Sequence, residues 1–152
     1  MKKNKNTVIF VIIIVIVIVF LFLYPRLTAK NGKNKSSNVP CLVPNLPLVQ
    51  HIHPQLTILI DDKPEFLPAG IGIGACEKVI HTHDDDATAG IIHVESQDAR
   101  QYTLGDFMSV WGKSFEREGY RLEAKVDGQI APDPKSIILK DGEKIIMNYI
   151  KL

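Results

Sequence analysis

The chain has almost no charge to spare: 18 lysines and arginines stand against 17 aspartates and glutamates, for a formal net charge of +1. Much of its basic content lies early, at Lys2, Lys3, Lys5, Arg26, Lys30, Lys33 and Lys35, so the remainder carries no broad cationic face. That is not the electrostatic footprint of a nucleic-acid binder, and no nucleic-acid partner is expected. Length is short as well. Of 152 residues, about a hundred remain for one compact domain once a membrane segment and a tether are set aside, which excludes a large multidomain enzyme. No internal repeat is evident. Cysteine is scarce, with only Cys41 and Cys76.

One long hydrophobic run stands out. Residues 8–24 (VIFVIIIVIVIVFLFLY) contain no charge, glycine, proline or amide side chain, and Thr7 extends them. As a helix the run spans about 25 Å of hydrocarbon. Its β-branched content would suit a strand, but strands of this length are rare, and in lipid a helix satisfies every backbone group internally. Lys2, Lys3 and Lys5 also form the basic start of a signal peptide, yet the run exceeds an ordinary signal core and no small-x-small cleavage site follows. We therefore expect residues 1–6 in the cytoplasm, 7–24 as a single-pass anchor in the lipid bilayer of the cell membrane, and the rest outside. The flanking charges alone are nearly balanced; the short N-terminal flank and the downstream cysteines favour this orientation.

From residue 25 to 47 the composition shifts to Lys, Asn, Ser, Gly and Pro, which reads as a flexible tether, with an α+β domain expected over 48–152. Residues 55–60 alternate as a strand does, and Asp61-Asp62-Lys63-Pro64 turns the chain into a second strand at 65–67. Residues 91–95 (IIHVE) suit another strand. Thr103, with Asp106 three residues on, caps a helix LGDFMSVWG that Gly112 ends, with Phe107, Val110 and Trp111 facing the core. Strands follow at 120–126, 137–139 and 144–150, joined through Asp127-Gly128 and Asp141-Gly142 turns. The expectation is a mostly antiparallel β domain with one central helix. It looks similar to the β-grasp arrangement, and a small open barrel or sandwich is the alternative.

All five histidines fall between residues 51 and 95: His51-Ile52-His53, His81-Thr82-His83 followed by Asp84, Asp85 and Asp86, and His93-Val94-Glu95. In extended chain, residues two apart share a face, so each H-x-H pair can present two imidazoles to one ion, and His93 and Glu95 likewise point together. Single histidines at strand ends are commonly satisfied by the backbone, which applies most to His51 and His53 beside the tether. The acidic triplet reads as a solvated turn in which Asp84 serves as an outer acceptor that orients a ring, and Glu95 has a similar outer role.

HTHDDD partly matches the H-x-H-x-D-H signature of the metallo-β-lactamase fold through His81, His83 and Asp85, but Asp86 stands where the last histidine belongs, and that fold needs about twice the residues available. Copper–zinc superoxide dismutase uses H-x-H on a β scaffold too, but its Gly-rich loops and further ligands are missing. The run HTHDDDATAGIIHVES followed by YTLGDFMSVWG resembles a family of uncharacterised membrane-anchored proteins. Similar sequences carry an H-x-H before the first strand, a segment like LPAGIGI and a cysteine after it, here His51, His53, residues 67–73 and Cys76. The resemblance implies a shared histidine-rich site and no particular activity.

Outside the cytoplasm, two cysteines are expected to form a disulfide, with Cys76 as a thiolate ligand beside the histidines as the alternative. Several imidazoles favour copper or zinc over Ca²⁺ or Mg²⁺, and copper is the first choice here. Met108 and Met147 are soft enough for Cu(I), but the helix and strand patterns assign both to the core. The expected ligands are His81, His83 and His93, completed by His51, His53 or Cys76. A metal-binding module that meets a protein partner in the membrane or envelope is the leading expectation, ahead of a metal-dependent oxidoreductase and of a metal-free, pH-responsive interaction surface.

Overall fold

The computed structural model describes residues 37–152. The predicted anchor at 7–24, its cytoplasmic flank and the first part of the 25–47 tether lie outside the described residues. Among the described residues, no helix is long and apolar enough to cross a membrane.

Over the described residues the domain is α+β, with one α-helix and eight strands in two sheets that are mostly antiparallel. In chain order the strands are β1 (Gln50–Ile52), β2 (Gln55–Ile60), β3 (Lys63–Glu65), β4 (Ile80–His81), β5 (His93–Ser96), β6 (Tyr120–Val126), β7 (Gln129–Ile130) and β8 (Lys144–Lys151). Helix α1 (Leu104–Trp111) lies between β5 and β6, and 3₁₀ turns occupy Ala87–Ala89 and Pro134–Ser136.

The larger sheet has the order β3-β2-β8-β6-β7, and only its central β2/β8 pair is parallel. The pattern of β8 explains its central place: Ile145, Met147 and Tyr149 alternate into the core and are each at most 1% exposed. Leu56 and Ile58 do the same from β2. The first hairpin turns through Asp61 and Asp62, both at positive φ (48° and 62°), as a two-residue loop of this hand requires. β3 consequently starts at Lys63, two residues before the predicted strand, and its Pro64 is tolerated because β3 is an edge.

Helix α1 begins and ends where the sequence signals place it. The Thr103 hydroxyl accepts from the Asp106 N–H at 3.2 Å, and the Asp106 carboxylate accepts from the Thr103 N–H at 3.0 Å. Gly112 closes it in the left-handed region at φ 73°. Its buried stripe is Leu104, Phe107 and Met108, while Val110 and Trp111 are only partly covered at the rim of the core. Met108 and Met147 both sit in that core.

Two expectations need correction. Residues 137–139 do not pair with β8, because β2 and β6 already occupy both of its hydrogen-bonding edges. Instead the segment lies against the start of α1, where Leu104 N–H donates to the Ile137 carbonyl (2.8 Å) and Leu139 N–H to the Tyr102 carbonyl (2.9 Å). The ordered domain also begins well before residue 48. Val39 is 2% exposed in the core, Leu42 N–H donates to the Glu77 carbonyl at 2.8 Å, and Val79 N–H donates to the Pro40 carbonyl at 3.1 Å. A disulfide joins Cys41 to Cys76 across this pairing.

The smaller sheet, order β1-β5-β4, is antiparallel throughout and carries the histidines.

Candidate metal centre

Register explains why histidines far apart in sequence meet. On the central strand β5, His93 and Glu95 are two residues apart and share a face. His51 of β1 pairs directly with Glu95, and His81 of β4 pairs directly with His93. Cross-strand partners on one face bring their side chains together. Each H-x-H motif then adds a second imidazole to its own side of β5. The His53 ring centroid lies 4.8 Å from that of His93, and the His83 centroid 4.4 Å.

His81, His83, His93 and Glu95 each place one donor atom within 4.8 Å of the others, so the group could hold a metal ion. His81 Nε2 is 3.0 Å from His83 Nε2 and 3.9 Å from Glu95 Oε1, and His93 Nδ1 is 3.8 Å from the same oxygen. Ligand atoms about 2.0–2.1 Å from a tetrahedral ion stand about 3.3–3.4 Å from one another. Small side-chain adjustments therefore suffice to close these four donors on an ion.

The outward nitrogens are fixed as ligand rings require. His81 Nδ1–H donates to the Lys78 carbonyl at 2.7 Å, leaving the Nε2 lone pair to face the cluster. His93 Nε2–H donates to Asp86 Oδ2 at 2.8 Å, leaving Nδ1 buried with no hydrogen-bond partner. An unpaired buried nitrogen is costly unless something fills its valence, and a metal ion does so. The His81 side chain is fully buried, and that burial lowers its pKa below 6.5 despite the Lys78 carbonyl, which acts in the opposite direction. The ring is thereby kept neutral, the form that ligates.

The loops around the cluster serve it. Thr82, between the two histidines, turns the other way: its hydroxyl donates to the Pro68 carbonyl at 2.8 Å and accepts from Ile71 N–H at 3.0 Å. The LPAGIGI segment thus clamps the H-T-H strand. Gly90, at φ 83°, ends the 3₁₀ turn that delivers Asp86 to His93, and a Cβ there would lie 2.3 Å from the Leu56 carbonyl oxygen. An open depression beside the cluster is lined by Gly70, Ile73, His83, Asp84, Asp85 and His93.

Not every candidate from the sequence holds the expected role. Cys76 is bonded to Cys41, so it offers no thiolate to an ion. Glu95 stands among the donors rather than behind them. The acceptor that orients a ring is Asp86, whereas Asp84 is exposed. His51 and His53 form, with His93, a second and more open group. Glu77 was missed: its Oε1 lies 3.5 Å from His81 Nε2, a position set by the Ile73–Glu77 bridge and the neighbouring disulfide rather than by any spacing signal.

A scan against protein-family models and searches of curated proteins and of solved structures return no match. What fold and site define is an α+β domain with a histidine/glutamate cluster able to hold a metal ion.

Proposed function

We propose that this chain is a membrane-anchored, extracytoplasmic metal-binding protein whose ion is held by His81, His83, His93 and Glu95. The observation that carries the reading is the pair of pre-oriented rings, His81 on the Lys78 carbonyl and His93 on Asp86, whose remaining nitrogens point at one shared space. Three imidazoles and a carboxylate suit Cu²⁺ and Zn²⁺, and divalent first-row affinity peaks at copper, so Cu²⁺ is the proposed ion. Thiolate-bound Cu(I) loses its basis once Cys76 is bridged.

The cellular setting is proposed on two grounds. The apolar run at 8–24 is long enough for a bilayer. The Cys41–Cys76 disulfide suits an oxidising compartment, which supports a domain held outside the cytoplasm where a protein partner in the membrane or envelope can meet it. For the architecture we propose a β-grasp-like larger sheet, supported by the parallel pairing of its first and last strands at the centre and by the helix between its two halves. A binding module is preferred over an oxidoreductase. The depression beside His83 and His93 nevertheless offers a small co-ligand access to the ion.

The test is metal content per chain by elemental analysis, after purification of the full chain in detergent, loading with Cu²⁺ and exhaustive dialysis. Wild type is expected to retain about one ion per chain, and the His81→Ala/His83→Ala double variant to retain almost none. Equal retention by the two would sink the proposal.

A further inference from the structure

Two groups of potential ligands meet at His93. The inner one is the more covered: the His81 side chain is fully buried and that of His93 is 11% exposed, with an open depression only on the His83 side. The outer one is open, with the His51 and His53 side chains 50% and 40% exposed. His51, His53 and His93 nonetheless bring one donor atom each within 4.8 Å of one another. The His51 and His53 rings are 4.6 Å apart, and the His53 ring meets that of His93 edge-on at 4.8 Å.

Glu95 ties the groups together. Its Oε1 lies 3.2 Å from His51 Nε2 on one side, and 3.8 and 3.9 Å from His93 Nδ1 and His81 Nε2 on the other. One oxygen therefore faces both pairs. Because His93 belongs to both groups and its Nε2–H is engaged by Asp86, the two groups cannot each hold an ion with a full ligand set.

Resting on the reading of the inner cluster as a metal centre, we propose that His51 and His53 are the outer half of a two-position metal path. A divalent ion lands on the exposed pair and passes inward through His93 and Glu95 to His81 and His83. Each move is a ligand exchange: an imidazole of the outer pair leaves as one of the inner pair binds, while the Glu95 carboxylate stays in reach of both, so no oxidant or reductant is required. A buried ion surrounded by protein donors exchanges slowly when water is its only other ligand. An exposed pair of imidazoles in reach of a shared ligand removes that bottleneck. Since it acts on the path rather than on the final site, it speeds release as well as uptake.

The experiment follows uptake of Cu²⁺, supplied as its glycine complex, by the full chain in detergent, and then release to excess EDTA. Wild type is compared with His51→Ala/His53→Ala and with the single His53→Ala, which leaves the His51–Glu95 contact in place. Expected are unchanged final stoichiometry and affinity, with uptake and release both slowed, and by the same factor, in the double variant. Unchanged rates would overturn the proposal. So would an affinity loss in the double variant as large as that of His81→Ala/His83→Ala, since the outer histidines would then be ordinary ligands of one site. Absence of any copper on the wild type would instead remove the metal reading itself, which keeps the two failures distinguishable.

Discussion

The two sheets of this domain are built on different terms. In the larger one, β8 runs eight residues and β6 seven, with an alternating apolar pattern and a capped helix between its halves. In the smaller one, β4 has two residues, β1 three and β5 four. Strands this short supply few ladder bonds, and their buried face is spent partly on imidazoles. Order there comes from other ties: the Cys41–Cys76 bridge, the Thr82 hydroxyl, the turn at Gly90, and the Asp86–His93 bond. The larger sheet supplies the longer ladders, and the smaller one adds Ile80 and Val94 to the same core while its other face holds donor atoms in place.

That division can be broken most forcefully from the side of the large sheet. Met147→Ala empties a fully buried position on β8 and should cost about 2–5 kcal/mol in urea unfolding. The fraction that still folds should bind metal as before, because Met147 lies on the larger sheet and is not among the cluster's donors.

Opening the disulfide is the next largest change. Its partners are 35 residues apart, and a loop of that size predicts a loss of about 3–4 kcal/mol on replacing both cysteines with serine. The comparison sharpens if hydrogen exchange is read by region. Protection should fall first around residues 76–83, while β6 and β8 follow only with global unfolding.

Asp86→Asn probes the small sheet alone. It keeps the shape of the side chain but weakens the acceptor that orients His93, so metal affinity should drop about 10–100-fold with little change in the unfolding midpoint of the metal-free protein. A midpoint shift as large as that of the disulfide variant would mean that Asp86 holds the fold rather than the ligand.

The smallest effect is on pH dependence. Burial lowers the His81 pKa below its ordinary 6.5, so the unfolded chain takes up a proton before the folded one does. Stability of the metal-free domain should therefore be fully present above about pH 6.5 and decline as the pH falls through the lowered folded value. Glu143 slopes the other way: its burial raises its pKa above 4.5, and its share is lost as the pH rises through that folded value. His81→Gln should flatten the decline just below neutrality in urea midpoints, and an unchanged slope would contradict the assignment.

The same division governs how much could be read from sequence. The bounds of helix α1 were legible because their signals are local, Thr103, Asp106 and Gly112, whereas its buried face shifts to Leu104, Phe107 and Met108 with Val110 and Trp111 at the rim. So was the first turn at Asp61-Asp62, although the strand after it starts at Lys63, two residues earlier than expected. The parallel pairing of β2 with β8 joins segments almost ninety residues apart, and no local pattern announces it. It also explains why 137–139, apolar enough for a strand, does not pair with β8, whose two edges are taken by β2 and β6. At the site, residue types and the two-residue spacing pointed to the histidines, and strand register brought them together. The choice of Asp86 over Asp84 depends on a 3₁₀ turn three residues long, and the loss of Cys76 as a ligand on a pairing with a segment whose composition reads as tether.

The central claim is a nitrogen- and oxygen-ligated ion in the small sheet, and X-ray absorption spectroscopy of the copper-loaded full chain tests it most directly. The account predicts a first shell of nitrogen and oxygen only, with the multiple-scattering signature of three imidazoles. That signature should fall to about one imidazole in whatever copper the His81→Ala/His83→Ala variant retains once His51 and His53 are also replaced by Ala, which removes the outer group. A sulfur scatterer at about 2.3 Å, or a shell without imidazole, would contradict it.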